Sequence, residues 1–240
     1  MAMRLHVGTS GFSYDEWRPA FYPDDLAKDA MLGFYGARLP SVELNNTFYR
    51  MPSPKLTAKW ASEVPDAFTF AVKASQRITW TKKLADCEET LGYLFAAVAE
   101  LGHKLGCVFY QVPKWVKKDV PLLRGFLALQ RAGIRTAFEF AHPSWLEDDA
   151  LQALRERDAA VVLSDRDEAP TPELIDTGSW AYLRLRRAAY DDGALLQWHE
   201  RLRGRALQQC FVFFKHEDSC AGPALAQRFL QLGGAAAAGG

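Results

Sequence analysis

The chain of 240 residues carries 29 basic and 29 acidic side chains, so its formal charge is zero and no global field draws it onto nucleic acid or an anionic membrane. That length can enclose one large core, and single α/β barrels commonly occupy it. The longest apolar stretch, around LGYLFAAVAELG, falls well short of the roughly 20 residues a spanning helix needs, so a soluble chain is expected.

RLHVGTSG reads as a first strand that starts by Arg4, leaving no room for a secretory leader. A long loop and a helix near Lys28–Leu39 follow. In VELNNTFYRMP, residues 42–52, alternation sends Val42 and Leu44 to one face and Glu43 and Asn45 to the other. A carboxylate and an amide on the buried face are costly unless paired or used. The next helix, SPKLTAKWASEVP, has Ser53 placed to cap it and Pro54 at its first position.

FTFAVKAS delivers Lys73, and a loop rich in Trp and Lys leads to the helix ETLGYLFAAVAELGHK. GCVFYQVP delivers Gln111 ahead of VPLLRGFLALQRAG. TAFEFAHPSW delivers Glu139 and His142 ahead of EDDALQALRERD, whose acids come first and bases last, as the helix dipole prefers. AVVLSD ends in Asp165, WAYLRLRR carries Arg184 and Arg186, and CFVFFKHED carries Lys215; helices GALLQWHERLRG and GPALAQRFLQLG follow the last two. Between strands six and seven, TPELIDTG offers little more than a turn, so the sixth crossover is expected to be weak or short. The Gly/Ala run of residues 233–240 reads as a disordered tail behind one domain spanning 1–232.

Eight strands separated mostly by helices imply parallel pairing with right-handed crossovers, and the count favours closure into a (β/α)8 TIM barrel. No strand is followed by a Gly-rich nucleotide fingerprint, which argues against a doubly wound sheet. Cys87, Cys107, Cys210 and Cys220 form no C-x-x-C pair, the pattern of a reduced, cytoplasmic chain.

Catalytic groups of such barrels come from the carboxyl ends of strands. Parity directs Glu43, Asn45, Lys73, Gln111, Glu139, Asp165, Arg184, Arg186 and Lys215 inward, with Val42, Leu44, Val72, Phe138, Leu183, Leu185 and Phe214 under the helices. Glu43 and Glu139 are then the expected acid and base and Lys73 an electrophile or proton donor. Arg184, Arg186 and Lys215 serve as anion clamps, with Asn45 and Gln111 as orienting groups. The alternative is a self-neutralising network that fixes the fold. The loops after strands three, four and seven are basic and those after five and six acidic, and aromatic residues including Tyr14, Trp17, Trp80 and Trp115 share the same end. Aromatics beside cations can stack a base or sugar while holding its phosphate. Glu139, His142 and Asp165, with Glu43 or His216, are the donors a divalent metal would use, but histidines are too few to assign one.

GTSGFSYDEWRPAFYP, VELNNTFYRMP, FAVKASQRITW, LGCVFYQVP, AFEFAHPSW, LRLRRAAYDD and FFKHED, in order from Gly8 to about Gly222, resemble the YecE-like family, domain of unknown function 72. The resemblance implies a TIM barrel, leaves the cofactor open and brings no established activity. It carries Tyr14, Trp17, Glu43, Asn45, Lys73, Gln111, Glu139, His142, Asp165 and Arg184 over as family-type positions. Ala141 stands where many relatives have an arginine, and Arg184-Leu185-Arg186-Arg187 and Phe214-Lys215-His216 also depart from the usual pattern, making the pocket more cationic. The expectation is an enzyme acting on a small anionic or phosphorylated molecule, a nucleotide or sugar derivative. A non-catalytic binder of single-stranded nucleic acid or nucleotide is the alternative.

Overall fold

The computed structural model describes residues 3–215 and 220–238. Eight parallel strands close into a barrel in chain order: β1 (Arg4–Ser10), β2 (Ser41–Leu44), β3 (Thr69–Lys73), β4 (Leu105–Val112), β5 (Thr136–Phe140), β6 (Ala160–Asp165), β7 (Trp180–Leu185) and β8 (Gln209–Phe214). Around them lie α1 (Met31–Gly36), α2 (Pro54–Glu63), α3 (Glu88–Ala99), α4 (Val120–Ala128), α5 (Asp148–Arg155), α6 (Asp192–Arg203) and α7 (Ala221–Ala238). The sixth crossover, residues 166–179, contains no helix. No helix among the described residues is long and apolar enough to cross a membrane.

The local signals act as their chemistry dictates. Ser53 Oγ accepts from Leu56 N at 3.3 Å with Pro54 in the first turn, and Asp119 and Asp191 cap α4 and α6 in the same way. Gly8 is required by contact: a Cβ there would lie 1.8 Å from the Ser41 carbonyl oxygen, where β1 meets β2. The four cysteines are free thiols, three of them buried.

Two cores result. Outward residues of the strands pack under the helices, with Val42, Val72, Phe138, Leu183 and Phe214 among them. The barrel interior is filled by Ala71, Cys107, Phe109, Ala137, Ala160, Val162, Trp180, Tyr182, Phe211 and Phe213. Above this plug the inward positions turn polar.

Within the stretch read as a tail, α7 runs on through Gly233 and Gly234 to Ala238, and residues 239–240 lie outside the described residues. Gly233 is a packing position, since a Cβ there would come 2.6 Å from the His199 ring, and His199 Nε2 is itself 2.8 Å from the Phe229 carbonyl oxygen. Alanine, the best helix former, carries the helix onward.

Candidate functional site

Strand register builds the site. Ser10 lies level with Glu43 across β1 and β2, Gln111 with Glu139 across β4 and β5, and Ser164 with Arg184 across β6 and β7. The side chains at these levels point to the same side and meet. Arg184, almost completely buried, donates from Nη2 to Glu43 Oε1 at 2.9 Å and from Nη1 to Glu139 Oε2 at 3.0 Å. Glu43 also accepts from Ser10 Oγ at 2.7 Å, Asn45 Nδ2 at 2.9 Å and the Tyr182 hydroxyl at 2.6 Å. Glu139 accepts from Gln111 Nε2 at 2.6 Å, Ser164 Oγ at 2.5 Å and Arg166 Nη2 at 3.3 Å.

This wiring favours the ionised form of both carboxylates. Burial pushes the Glu139 carboxyl up, but Arg184, the Ser164 hydroxyl, Arg186 and Gln111 outweigh it and hold the group down at about 2. Glu43 is lowered by the same balance, burial opposed by Arg184, Tyr182, Ser10 and Lys73. Two ionised, donor-saturated carboxylates are poor general acids and weak bases at neutral pH, so the acid and base roles expected of them do not fit the geometry.

Lys73 is different. Its Nζ sits 4.1 Å above the Phe48 ring and 5.7 Å from that of Phe109, and no hydrogen bond or ion pair joins it to another described residue. Burial and Arg184 lower its pKa and Glu43 and Glu139 raise it, leaving it at about 8. Arg186, half-buried, likewise has no side-chain partner among the described residues, and burial and Arg184 lower its pKa. Two further polar atoms, Arg184 Nε and Asn45 Oδ1, are buried without a partner.

A cavity of about 600 Å³ opens over this floor, lined by Trp80, Gln111, Glu139, Ala141, Ser164 and Arg186 among others. It exists because β5 and β6 pair only through Ala137–Ala160 and Phe138–Val161. Beyond those levels no backbone pairs join them among the described residues, and the side chains of Ser164 and Arg166 reach across to Glu139. At the rim, Trp80 packs edge-on against Phe48 and Trp115, each at 5.2 Å, and Tyr49, Trp80 and Trp115 are exposed.

The family described as "Protein of unknown function DUF72" matches residues 6–239. The chain belongs to the DUF72 family. It is 29% identical over 150 residues to the UPF0759 protein YunF of Bacillus subtilis (strain 168), covering 59% of this chain and 52% of that one. With the UPF0759 protein YecE of Escherichia coli (strain K12) it shares 24% identity over 112 residues, 46% of this chain and 41% of YecE. The matched segments thus span about half the length of those curated relatives or less. A DUF72 family protein of Thermotoga maritima MSB8 has the same fold with a TM-score of 0.78 at 25% identity, over 95% of this chain and 97% of that one. A DUF72 family protein of Enterococcus faecalis V583 gives 0.78 at 20% identity over 97% and 96%.

Within this DUF72 barrel, Glu43, Asn45, Lys73, Gln111, Glu139, Arg184 and Arg186 occupy one end, as alternation required. Lys215 follows Phe213 in inward phase, its backbone N–H donating to the Leu185 carbonyl at 3.1 Å. Four expected residues lie elsewhere. Asp165 faces outward: its carboxylate accepts from Arg187 Nε at 2.8 Å and the Tyr190 hydroxyl at 2.9 Å, and Ser164 takes the inward place. Trp17, 1% exposed, packs among Tyr14, Phe21 and Tyr22 under the outer face and has no access to ligand. His142 is turned to Ser144, its Nδ1 2.8 Å from the hydroxyl, and begins the short 3-10 turn Pro143–Leu146. Tyr14 donates to the Ser10 carbonyl at 2.8 Å and shares a small groove with Asn45 rather than the main cavity. No three of His, Cys, Asp and Glu gather into a metal-holding cluster among the described residues, and Glu139, His142 and Asp165 point in three directions; His216 lies outside the described residues.

The sequence reading missed Ser10, Ser164, Arg166 and Tyr182. Two of them were available from period two: Tyr182 precedes Arg184 by two, and Ser10 follows Gly8 by two. The segregated loop charges also partly cancel one another, because Lys118 reaches Glu147 at 2.6 Å and Asp149 at 2.8 Å.

Proposed function

We propose that the mouth binds a small anionic molecule, a phosphorylated or carboxylated sugar or nucleotide derivative, and acts on it as an enzyme. Arg186 carries the reading. Its guanidinium lines the cavity with no ion pair to any described residue, while the neighbouring Glu43 and Glu139 are engaged by other donors. A cation held among cations is relieved by an incoming anion, and a guanidinium offers the fork that carboxylate and phosphate accept. Lys73 is the group able to gain and lose a proton near neutral pH, Gln111 orients the ligand, and the Glu43–Arg184–Glu139 chain acts as a fixed electrostatic floor.

The test is calorimetric titration of the purified protein with phosphate, sulfate and small sugar phosphates, in parallel with Arg186→Ala. Saturable binding in the parent that falls about tenfold or more in the variant is expected, since a charge-assisted contact contributes roughly 1.5–3 kcal/mol. Turnover in a screen of phosphorylated and carboxylated compounds would complete it. Absence of anion affinity in the parent, or an unaltered Arg186→Ala, overturns the reading.

The exposed Tyr49, Trp80 and Trp115 favour a second reading, non-catalytic binding of single-stranded nucleic acid or a nucleotide by stacking at the rim. Oligonucleotide affinity that collapses steeply with salt and depends on Trp80 and Trp115 would select it.

A further inference from the structure

We infer that Lys73 is a nucleophile that forms an imine with a carbonyl compound held in the mouth, the substrate being an aldehyde or ketone that also bears a carboxylate or phosphate. The inference rests on the reading of the mouth as an anion site and adds the reacting group.

Lys73 is the last residue of β3, at the carboxyl end of the barrel. It keeps 8% of its surface open, so it is shielded without being sealed. A structural lysine in such a place would be expected to meet a carboxylate. Here Glu43 and Glu139 are close enough to be felt but outside ion-pair distance, and both are occupied by Arg184. The ammonium rests on ring faces, Phe48 at 4.1 Å and Phe109 at 5.7 Å, and shares its surroundings with the cations Arg184 and Arg186. Desolvation beside like charge is how a protein frees the lone pair of a lysine. Phe48 in turn packs against Trp80, which lines the cavity together with Gln111, Glu139 and Arg186.

The chemistry balances without an added reagent. The ammonium gives a proton to solvent, and the free amine attacks the carbonyl carbon, whose oxygen takes up a proton to give the carbinolamine. Loss of that oxygen as water, with the proton returned, leaves the protonated imine. Overall, ammonium plus carbonyl yields iminium plus water, and the single positive charge stays beside Glu43 and Glu139, so the floor faces the same charge before and after. Arg186 takes the anionic end of the substrate and Gln111 is placed to bond the departing oxygen.

The experiment is reductive trapping. The full chain is incubated near pH 7 with pyruvate, glyoxylate or glycolaldehyde phosphate and cyanoborohydride, then digested and mapped by mass spectrometry. A single reduced adduct on the peptide carrying Lys73, formed about tenfold or more faster than on the exposed Lys55, Lys83, Lys114 and Lys117, is expected from its activated amine. Lys73→Arg, which keeps the charge, should show none, and Arg186→Ala, which also removes a cation that depresses Lys73, should slow labelling by anionic carbonyls about tenfold or more beyond its effect on neutral glycolaldehyde. Labelling scattered over surface lysines, or absent while phosphate still binds, overturns the imine and leaves the anion site standing. Loss of anion affinity is read separately, in the titration.

Discussion

Two parts of the same barrel mouth treat charge in opposite ways. Around Arg184 every carboxylate oxygen has a donor, four residues bonding Glu43 and four bonding Glu139. Around Lys73 and Arg186 no carboxylate stands within ion-pair distance among the described residues, and Glu43 and Glu139 act on them only from farther off. A network that exists only to neutralise itself would not leave two cations over beside a cavity. The difference teaches that only the saturated part is complete within the fold, and on the proposed reading the unsaturated part is where a ligand supplies the missing anion.

The largest effect should come from removing the hub. Arg184→Met leaves two buried carboxylates without their shared counter-ion, at a cost of roughly 3–5 kcal/mol, and the melting temperature should fall by about 10 °C. A variant that melts with the parent would show that the saturated network does not hold the barrel. Glu139→Gln should be milder, about 3 kcal/mol, because Arg184 keeps Glu43. Its pH dependence carries the sign. The Glu139 carboxyl lies below the ordinary 4.5, at about 2, so its stabilisation is complete above pH 4.5 and lost as pH falls through 2. The gap between parent and variant melting curves should therefore be constant at neutral pH and narrow on the acid side of 4.5; a gap that widens there would mean that Glu139 is held protonated in the fold.

The same contrast explains what was legible beforehand. Where a strand alternates clearly, as in VEL and LRLR, the inward residues follow, and Glu43, Arg184 and their ring were readable. β6 reads AVVLSD, apolar on both faces, as strands covered on both sides do, so nothing in it phases Ser164 against Asp165, and from sequence the acid reads as the inward residue. The opening between β5 and β6 depends on backbone pairs that do not form, and no residue type announces that. Trp17 and Trp80 both lie in loops that follow a strand, yet one is buried in an aromatic stack and the other lines the cavity; burial of a loop aromatic is decided by what the rest of the chain brings to it. Nor could the presence of both charge signs reveal which cations would remain unpaired, since pairing depends on distances of a few ångströms.

The smallest effect, and the one that bears most directly on the unsaturated part, is expected at Lys73. Its folded pKa, about 8, lies below the ordinary lysine value of 10.5 because burial and Arg184 disfavour the ammonium. At pH 7 the fold therefore carries a charge that the unfolded chain accommodates more easily, a cost of about 3 kcal/mol at most, offset by about 1–2 kcal/mol of attraction to the rings of Phe48 and Phe109. Lys73→Met fills similar space without the charge, so the variant should be more stable than the parent by about 1 kcal/mol, a rise of roughly 2–4 °C. Because the unfolded lysine binds the extra proton between the two pKa values, the parent recovers this deficit as pH rises from 8 to 10.5, and the two melting curves should converge there. A stabilised variant that has also lost reductive trapping is the pattern of a residue retained for chemistry at the expense of the fold. A destabilised variant at pH 7 would place Lys73 with Arg184 as part of the scaffold, and the contrast between the two parts of the mouth would fail.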